Sequence, residues 1–254
     1  MIILSGLKNG GIIFLLINRK YLYISPQEVA VMQLTTAKNY LLLTERIGKK
    51  PMLRTRFTNQ AYFVLASVLD LVDQQILNIG NDQLTIQNQP MFDRLPKYLD
   101  GLNSRIRDEI QKGNKLNDAL DLITSWDIAN EIYDGVGGEL LQAELVEKTS
   151  VKTNLDTHTI YLPTTAARTQ VTTYLKQQMA TPHIEQAAIS LITIYEQLDA
   201  LKWLITDKNE LSQLISIFHQ NVANNPFYLL EQPLVKTVQE IITKKKFWYD
   251  SWLS

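Results

Sequence analysis

Three closely spaced glycines form the part of the sequence most typical of phosphate binding. They are Gly135, Gly137 and Gly138, and a helical pattern precedes them while Glu139 follows. Glycine-rich turns bind phosphate because backbone N–H groups and the positive end of a helix dipole point at the anion. A phosphate loop also needs a strand before its glycines and a Gly-Lys-Ser/Thr sequence after them, which this stretch lacks. We therefore expect one helix to end at Gly135 and another to begin at Gly138.

The residues that could do other chemistry give no catalytic or metal-binding pattern. His158, His183 and His219 are far apart, and no His or carboxylate pair with i, i+4 spacing has a third ligand nearby. The absence of cysteine excludes a disulfide framework, a thiolate metal site and a cysteine nucleophile. No G-x-S-x-G or S-x-x-K sequence places a serine beside a base. We expect a protein that is not an enzyme and needs no metal or cofactor.

The elements that must position the remaining side chains are mostly helical. Apolar spacing predicts a helix from Leu34 to Gly48, a second one capped by Asn59, and a third that begins near Pro96. Two stretches, QILNIGNDQLTIQ and VEKTSVKTNLDTHTIYLP, switch to alternation around a polar turn and predict antiparallel hairpins. Four further helices are predicted over 165–179, 182–205, 209–222 and 234–252, with Pro233 marking a break. The predicted fold class is mainly α, a single globular helical domain with two antiparallel β-hairpins.

Charge is spread unevenly along the 254 residues, although the formal net charge is only −1. Residues 1–60 contain nine basic and two acidic residues, whereas residues 61–150 contain seven basic and fifteen acidic ones. A positive surface that meets an anionic partner is therefore expected. The acidic middle argues against broad nucleic-acid binding, so no nucleic acid is expected as a partner.

The first 31 residues stand apart from the helical pattern. Their longest apolar run, 12–17, is far shorter than the roughly 20 residues of a spanning helix, and no small-residue cleavage site follows it as in a signal peptide. GGIIFLLINRKYLYIS is more typical of two short strands around a polar turn. Residues 1–31 are interpreted as an N-terminal extension, either a short hairpin or an over-called start before Met32, and residues 32–254 as one domain.

The order of helices and hairpins, together with particular residues, resembles that of the Golgi phosphoprotein 3 family. The resemblance is that of a divergent bacterial member. The stretches that carry the resemblance are LTTAKNYLLLTE, FVLASVLDLVDQQILNI, ELLQAELVEKTSVKTNLDTHTIYLPTT and HIEQAAISLITIYEQLDALKWLI. Together they cover most of 34–205. The resemblance implies a single, mainly helical domain and a peripheral membrane adaptor, because the eukaryotic members bind phosphatidylinositol 4-phosphate. It also implies a cytoplasmic protein, peripheral at the inner membrane face when membrane-bound.

The family's headgroup residues can be placed approximately on this chain. A tryptophan in the loop after the first helix falls near Thr55, and an arginine on the second helix falls near Val64. A pair of arginines before the second hairpin falls between Gly135 and Glu139. None of the four family residues is present at these positions.

A basic loop occupies the place of the family's tryptophan and supplies the headgroup candidates. Two guanidinium groups beside an aromatic ring can hold a phosphate bidentately while the ring rests at an interface. The alternative is a solvated basic loop whose aromatic side chain packs into the core. The candidates are Arg54, Arg56, Phe57, Lys49 and Lys50.

Three apolar side chains are the candidates for membrane contact. Leu155 lies at the tip of the second hairpin, where the resemblance implies apolar residues. Phe247 and Trp248 belong to KKKFWYDSW, which mixes charge and aromatic residues as membrane-surface segments do. The alternative for this last segment is the packing face of a terminal helix.

Three functions from different classes fit these observations. The first is a peripheral-membrane or adaptor-type protein that binds an anionic lipid or phosphoinositide headgroup and a protein partner. The second is a soluble protein interaction scaffold without lipid binding. The third is a winged-helix-like DNA-binding regulator, which would use the helix 59–75 as its recognition helix. That helix carries Asp70 and Asp73 and no Lys or Arg, so the third function is electrostatically disfavoured.

Overall fold

The computed structural model describes residues 16–17, 20–21, 35–47, 50, 53–152 and 157–253, with side chains placed in 35–47, 50, 53–152 and 157–247. The chain forms two compact units, Met1–Gln33 and Leu34–Ser254. In the first unit, strand β1 (Leu16–Ile17) pairs antiparallel with strand β2 (Lys20–Tyr21). The rest of the predicted extension, including its Met32 boundary, lies outside the described residues.

Helices make up 71% of the structure, which confirms the mainly helical class. The long helices of the second unit are α1 (Thr35–Thr44), α2 (Phe57–Asp73), α4 (Asp100–Lys112), α6 (Trp126–Gln142), α7 (Thr165–Ala180), α8 (Gln186–Gln197), α9 (Lys208–Val222) and α10 (Pro226–Leu253). Single-turn helices are α3 (Gln89–Phe92) and α5 (Leu116–Ala119), and 3-10 turns cover Leu53–Thr55, Lys97–Leu99, Leu120–Thr124 and Leu201–Trp203.

Both predicted hairpins are present. Strand β3 (Leu77–Gly80) pairs with β4 (Gln83–Ile86), and β5 (Val146–Lys152) pairs with β6 (Thr157–Pro163). The two residues between β3 and β4, Asn81 and Asp82, have φ values of 52° and 60°. Positive φ at both positions is the backbone of a type I′ turn, whose twist matches that of the flanking strands.

Each hairpin leaves its preceding helix through the same kind of turn. Gln75 after α2 and Glu144 after α6 have left-handed φ values of 57° and 58°. In both turns the N–H of the next residue donates to the carbonyl five residues back, at 2.9 and 3.0 Å. This Schellman arrangement closes the helix and directs the chain into a strand.

Helices α2 and α8 form the centre of the second unit. Every residue from Gln60 to Leu71 in α2 is buried, and so is every residue from Ala187 to Tyr195 in α8. Helices α1, α6 and α8 pack on α2, while α1 and α10 pack on α8. A recognition helix in a DNA groove needs an exposed face, which α2 lacks over most of its length.

The predicted helix break at the glycines is wrong. Helix α6 is continuous through Gly135, Gly137 and Gly138. A Cβ atom added to Gly135 would lie 2.0 Å from Cγ of Tyr98, and one added to Gly137 would lie 2.2 Å from Cδ2 of Tyr161. These two glycines therefore let aromatic rings lie against the helix backbone instead of ending the helix.

The predicted break at Pro233 is also wrong, because α10 continues through this residue. Proline has no N–H to donate to the carbonyl one turn earlier. The residues that follow, Leu234, Val235 and Val238, are all buried. Burial of these apolar side chains offsets the missing hydrogen bond. Within the part of the chain that the structure describes, no helix has both the length and the apolar character to cross a membrane.

Candidate functional site

Arg54, a predicted headgroup residue, is held by protein groups. It lies in the 3-10 turn Leu53–Thr55, and its two terminal nitrogens donate to the two carboxylate oxygens of Asp134 on α6 at 3.0 and 2.7 Å. The same side chain donates to Oδ1 of Asn130 and to the carbonyl of Thr159. Its side chain is only 15% exposed. Few of its donors therefore remain for a ligand.

Arg56, the second predicted guanidinium, bonds to a different part of the protein. It is half-buried at the start of α2 and donates to the carbonyl of Thr44, the last residue of α1, at 2.7 Å. Burial lowers the pKa of this guanidinium. The ring of Phe57 lies 6.0 Å from that of Trp126. Arg54 and Arg56 bond to different parts of the protein, and their headgroup role stays a prediction.

The structure describes only some of the other predicted site residues. Lys50 lies over the ring of Trp203, with Nζ 5.4 Å from the ring centroid, which is a cation–π contact. Phe247 on α10 is 73% exposed. Lys49 and Leu155, and the side chain of Trp248, lie outside the described residues.

Glu139, which follows the glycines, takes part in contacts within the protein. Its carboxylate pairs with Nζ of Lys38 on α1 at 2.8 Å and accepts a hydrogen bond from the hydroxyl of Tyr98. The glycine segment lies in the middle of α6, so it offers no helix N-terminus to a phosphate.

A cationic pocket of about 610 Å³ is lined by residues of α7, of β6, of the turn that follows α1 and of the 3-10 turn Leu201–Trp203. We call it the α7 pocket, after the helix that supplies half of its lining. No acidic residue lines it among those described. Its lining residues are Arg46, Ile47, Leu162, Pro163, Thr165, Arg168, Thr169, Thr172, Thr173, Lys176, Trp203 and Leu204.

Arg168 occupies the end of the α7 pocket near α1. Its guanidinium donates to the carbonyl of Glu45, just past the end of α1. Burial lowers the pKa of Arg168, because the charged group is partly removed from water. In the described part of the chain no carboxylate lies within ion-pair distance of Arg168 or of the exposed Arg46. Both cations can therefore accept an anionic ligand.

The carboxyl group of Glu45 interacts electrostatically with both Arg46 and Arg168 at this end of the pocket. Glu45 is fully buried, and it accepts hydrogen bonds from the N–H of Leu53 and the hydroxyl of Tyr133. Burial raises its pKa, while the hydrogen bonds and the positive charges of Arg56 and Arg46 lower it. The cations around Glu45 outnumber this one carboxyl, so the region has an excess of positive charge.

The opposite end of the α7 pocket carries a cation with its own counter-ion. Nζ of Lys176 contacts both carboxylate oxygens of Glu210 on α9, at 2.8 and 2.9 Å. Between Arg168 and Lys176 the helix presents a row of threonines. Within the described residues, the hydroxyls of Thr169 and Thr173 have no hydrogen-bond partner, so they can contact a polar ligand.

One feature of the sequence, a row of threonines on α7, could have indicated this pocket. Thr165, Thr169, Thr172 and Thr173 follow the i, i+4, i+7, i+8 spacing of one helix face, with Lys176 one turn further on. A polar stripe of this kind usually marks solvent exposure, and nothing in the sequence links it to Arg46 or Trp203.

Three of the buried acidic residues bond to other groups of the protein. Asp70 caps α1 from α2, Glu45 joins three elements, and Glu231 accepts a hydrogen bond from the hydroxyl of Ser190 at 2.5 Å. None of them lines one of the described pockets. No group of His and acidic residues in the described part is arranged to hold a metal ion.

Glu231 should make the stability of the protein pH-dependent. Burial raises the pKa of Glu231 to about 8, and its Oε2 has no hydrogen-bond partner among the described residues. Because the folded pKa is above the unfolded one, stability is highest below the unfolded pKa and is lost as the pH rises towards 8. The loss between pH 6 and pH 8 is expected to be about 2 kcal/mol.

The matched variant for this prediction is Glu231→Gln, which keeps the shape and cannot ionise. The free energy of unfolding of both proteins, measured by denaturant titration at several pH values, should converge at low pH. The wild-type protein should lose about 2 kcal/mol more than the variant between pH 6 and pH 8. Parallel pH profiles would show that Glu231 does not titrate in this range.

Comparison with known proteins identifies no relative for this chain: no family model, no curated protein and no solved structure matches it.

Proposed function

We propose that this protein is a non-enzymatic, peripheral-membrane binding protein of the adaptor type, which attaches to anionic lipid headgroups. The observation that supports the proposal most directly is the α7 pocket, where no carboxylate of the described residues lies within ion-pair distance of Arg46 or Arg168, and where Trp203 is partly exposed. Tryptophan is favoured at membrane interfaces because its ring is apolar and its N–H is polar. The resemblance of the sequence to the Golgi phosphoprotein 3 family supports the same class of function.

The contact between Lys50 and Trp203 extends the positive surface beyond the pocket. Trp203 is 44% exposed and Lys50 is exposed. A cation above an exposed indole can pair with lipid phosphates while the ring enters the headgroup layer. The rim therefore combines the two kinds of contact by which peripheral proteins bind an anionic membrane.

A soluble interaction scaffold remains the second candidate, and it has support of its own. Leu229 and Phe247 on α10 are 55% and 73% exposed. Exposed large apolar side chains are also typical of protein contact surfaces. Vesicle binding separates the two candidates.

Sedimentation with vesicles tests the membrane proposal. The protein should sediment with phosphatidylcholine vesicles that contain phosphatidylserine or phosphatidylinositol monophosphate, and it should stay in solution with phosphatidylcholine alone. Binding should weaken as salt is raised, because exposed charges are screened. Failure to bind any anionic vesicle at low salt would replace the membrane proposal with the scaffold.

The chain offers a matched pair of tryptophans for this assay. Trp203→Ala should reduce vesicle binding by about tenfold, since it removes the interfacial ring and the platform for Lys50. Trp126→Ala removes a side chain of nearly equal exposure, 42%, that lies beside Phe57 instead. Equal losses in both variants would contradict the assignment of the membrane face.

A further inference from the structure

We infer that a second pocket binds a free α-amino acid with an aromatic side chain. This pocket, which we call the α4 pocket, is lined by residues of α4, of the 3-10 turn Leu120–Thr124, of the start of α6 and of α10. Its volume is about 380 Å³, within the range of about 300–1,000 Å³ found for small-molecule sites. No residue lines both this pocket and the α7 pocket. The inference therefore goes beyond the proposed membrane function and does not depend on it.

Most of the charges in the α4 pocket are already paired within the protein. Glu109 on α4 contacts Nζ of Lys112 at 3.1 Å and also accepts a hydrogen bond from the side-chain amide of Asn114. Asp121 in the 3-10 turn contacts Nζ of Lys245 on α10 at 2.7 Å. The charged side chains that line the pocket are Arg105, Glu109, Asp121, Asp127 and Lys245. Two of its three carboxylates thus have a cationic partner.

One positive and one negative group of the pocket remain for a ligand. They are Arg105 on α4 and Asp127 in the first turn of α6, and both are exposed. Neither side chain forms a hydrogen bond or an ion pair with another residue that the structure describes. A simple anion would be repelled by Asp127, and a simple cation would be repelled by Arg105. A ligand with both charges satisfies both groups.

An α-amino acid carries the required pair of charges on neighbouring atoms. The planar fork of the Arg105 guanidinium matches the two oxygens of a carboxylate. The carboxylate of Asp127 accepts hydrogen bonds, and an ammonium group has only donors. The ligand carboxylate therefore lies at Arg105 and its ammonium group at Asp127.

Trp126 determines which kind of side chain the ligand carries. It is next to Asp127 at the start of α6, it lines the pocket, and it is 42% exposed. The buried side chain of Leu122 adds a second apolar surface to the lining. An exposed indole beside a polar site can stack on another aromatic ring. An aromatic amino acid therefore fits this pocket better than a small or charged one.

Calorimetry with four small molecules tests this recognition. L-phenylalanine should bind. Phenethylamine lacks the carboxylate, 3-phenylpropionate lacks the ammonium group and L-alanine lacks the ring, so each should bind at least about tenfold more weakly. Equal affinity for phenethylamine or 3-phenylpropionate would overturn the recognition of both charges, and equal affinity for L-alanine would overturn the role of Trp126. Absence of L-phenylalanine binding would overturn the whole inference.

Two substitutions that remove one charge each test the position of the ligand. Arg105→Gln and Asp127→Asn should each weaken L-phenylalanine binding by about 10- to 100-fold, because each removes a charge-assisted hydrogen bond. Both residues are exposed, so a thermal unfolding curve should show an intact fold. Arg94→Gln and Asp118→Asn make the same changes at exposed residues that do not line the pocket. They should leave binding unchanged, and equal losses in these controls would overturn the assignment.

The two exposed tryptophans separate this inference from the membrane proposal. Trp126→Ala should weaken L-phenylalanine binding by about tenfold, whereas Trp203→Ala, which reduces vesicle binding, should leave it unchanged. The same loss of L-phenylalanine binding in both variants would overturn the site at Trp126. Binding of L-phenylalanine without vesicle binding supports the α4 pocket and overturns only the membrane function. Vesicle binding without L-phenylalanine binding has the opposite meaning.

Discussion

Replacing Gly137 by alanine is expected to destabilise the protein by about 3 kcal/mol. An added methyl group would lie 2.2 Å from the ring of Tyr161. That ring cannot move away freely, because Tyr161 is buried, its N–H donates to the hydroxyl of Tyr133, and the two rings are 5.5 Å apart. Either α6 or the strand β6 must shift. The free energy of unfolding from denaturant titration measures the effect.

Gly138→Ala is the control on the neighbouring residue. No atom outside the helix backbone lies within 4 Å of a Cβ added at Gly138, so alanine should stabilise α6 by about 0.5–1 kcal/mol. Gly137→Ala should therefore lower the free energy of unfolding, whereas Gly138→Ala should raise it. In the Gly137→Ala background, Tyr161→Leu should recover part of the loss, because a smaller side chain leaves room for the methyl group. Similar stabilities for both alanine variants would show that Tyr161 does not pack on α6.

Asp70→Ala is expected to cost about 3 kcal/mol, which is the second large effect. The N–H groups of Thr36 and Ala37, in the first turn of α1, donate to the two carboxylate oxygens of Asp70 at 2.8 and 2.9 Å. Asp70 is fully buried on α2. Its removal would leave two buried donors without an acceptor, since water has no access to replace it.

Asp73 provides the control for this variant on the same helix. It is only half-buried and caps no helix in the described part, so Asp73→Ala should change the free energy of unfolding by less than about 0.5 kcal/mol. Asp70→Asn keeps one acceptor oxygen and should fall between the two alanine variants. If Asp70→Ala and Asp73→Ala lowered the free energy of unfolding equally, the cause would be the charge on α2 and not the capping of α1.

The elements that the sequence predicted well are those set by local chemistry. The hairpin between β3 and β4 follows from Asn81 and Asp82, which accept left-handed backbone, and α7 starts at the predicted residue because the Thr164 hydroxyl accepts from the Ala167 N–H at 3.1 Å. The prediction that Asn59 caps α2 is wrong, because the helix begins at Phe57. There Arg56 precedes the helix without a side-chain cap, so tertiary contacts decide the boundary.

The errors at Gly137 and Pro233 share a cause. Glycine and proline carry strong local preferences, but packing against Tyr161 and burial around Val235 override them. The same limitation applies to the candidate site. Arg46, Arg168 and Trp203 come from three distant parts of the chain, and only tertiary packing brings them into one pocket. The sequence pointed instead to Arg54, whose partner Asp134 it could not identify.

The ion pairs of Lys38 with Glu139 and of Arg54 with Asp134 have a consequence for association rates. They join the basic first segment of the sequence to its acidic middle, so two of the nine basic residues in that first segment have carboxylate partners from the middle. With a formal net charge of −1, the protein has little field beyond a Debye length of about 8 Å. An anionic surface therefore does not attract it from a distance. Encounter occurs by diffusion at an ordinary rate constant of about 10⁵–10⁷ M⁻¹s⁻¹, and salt should change the lifetime of the bound state more than the frequency of collisions.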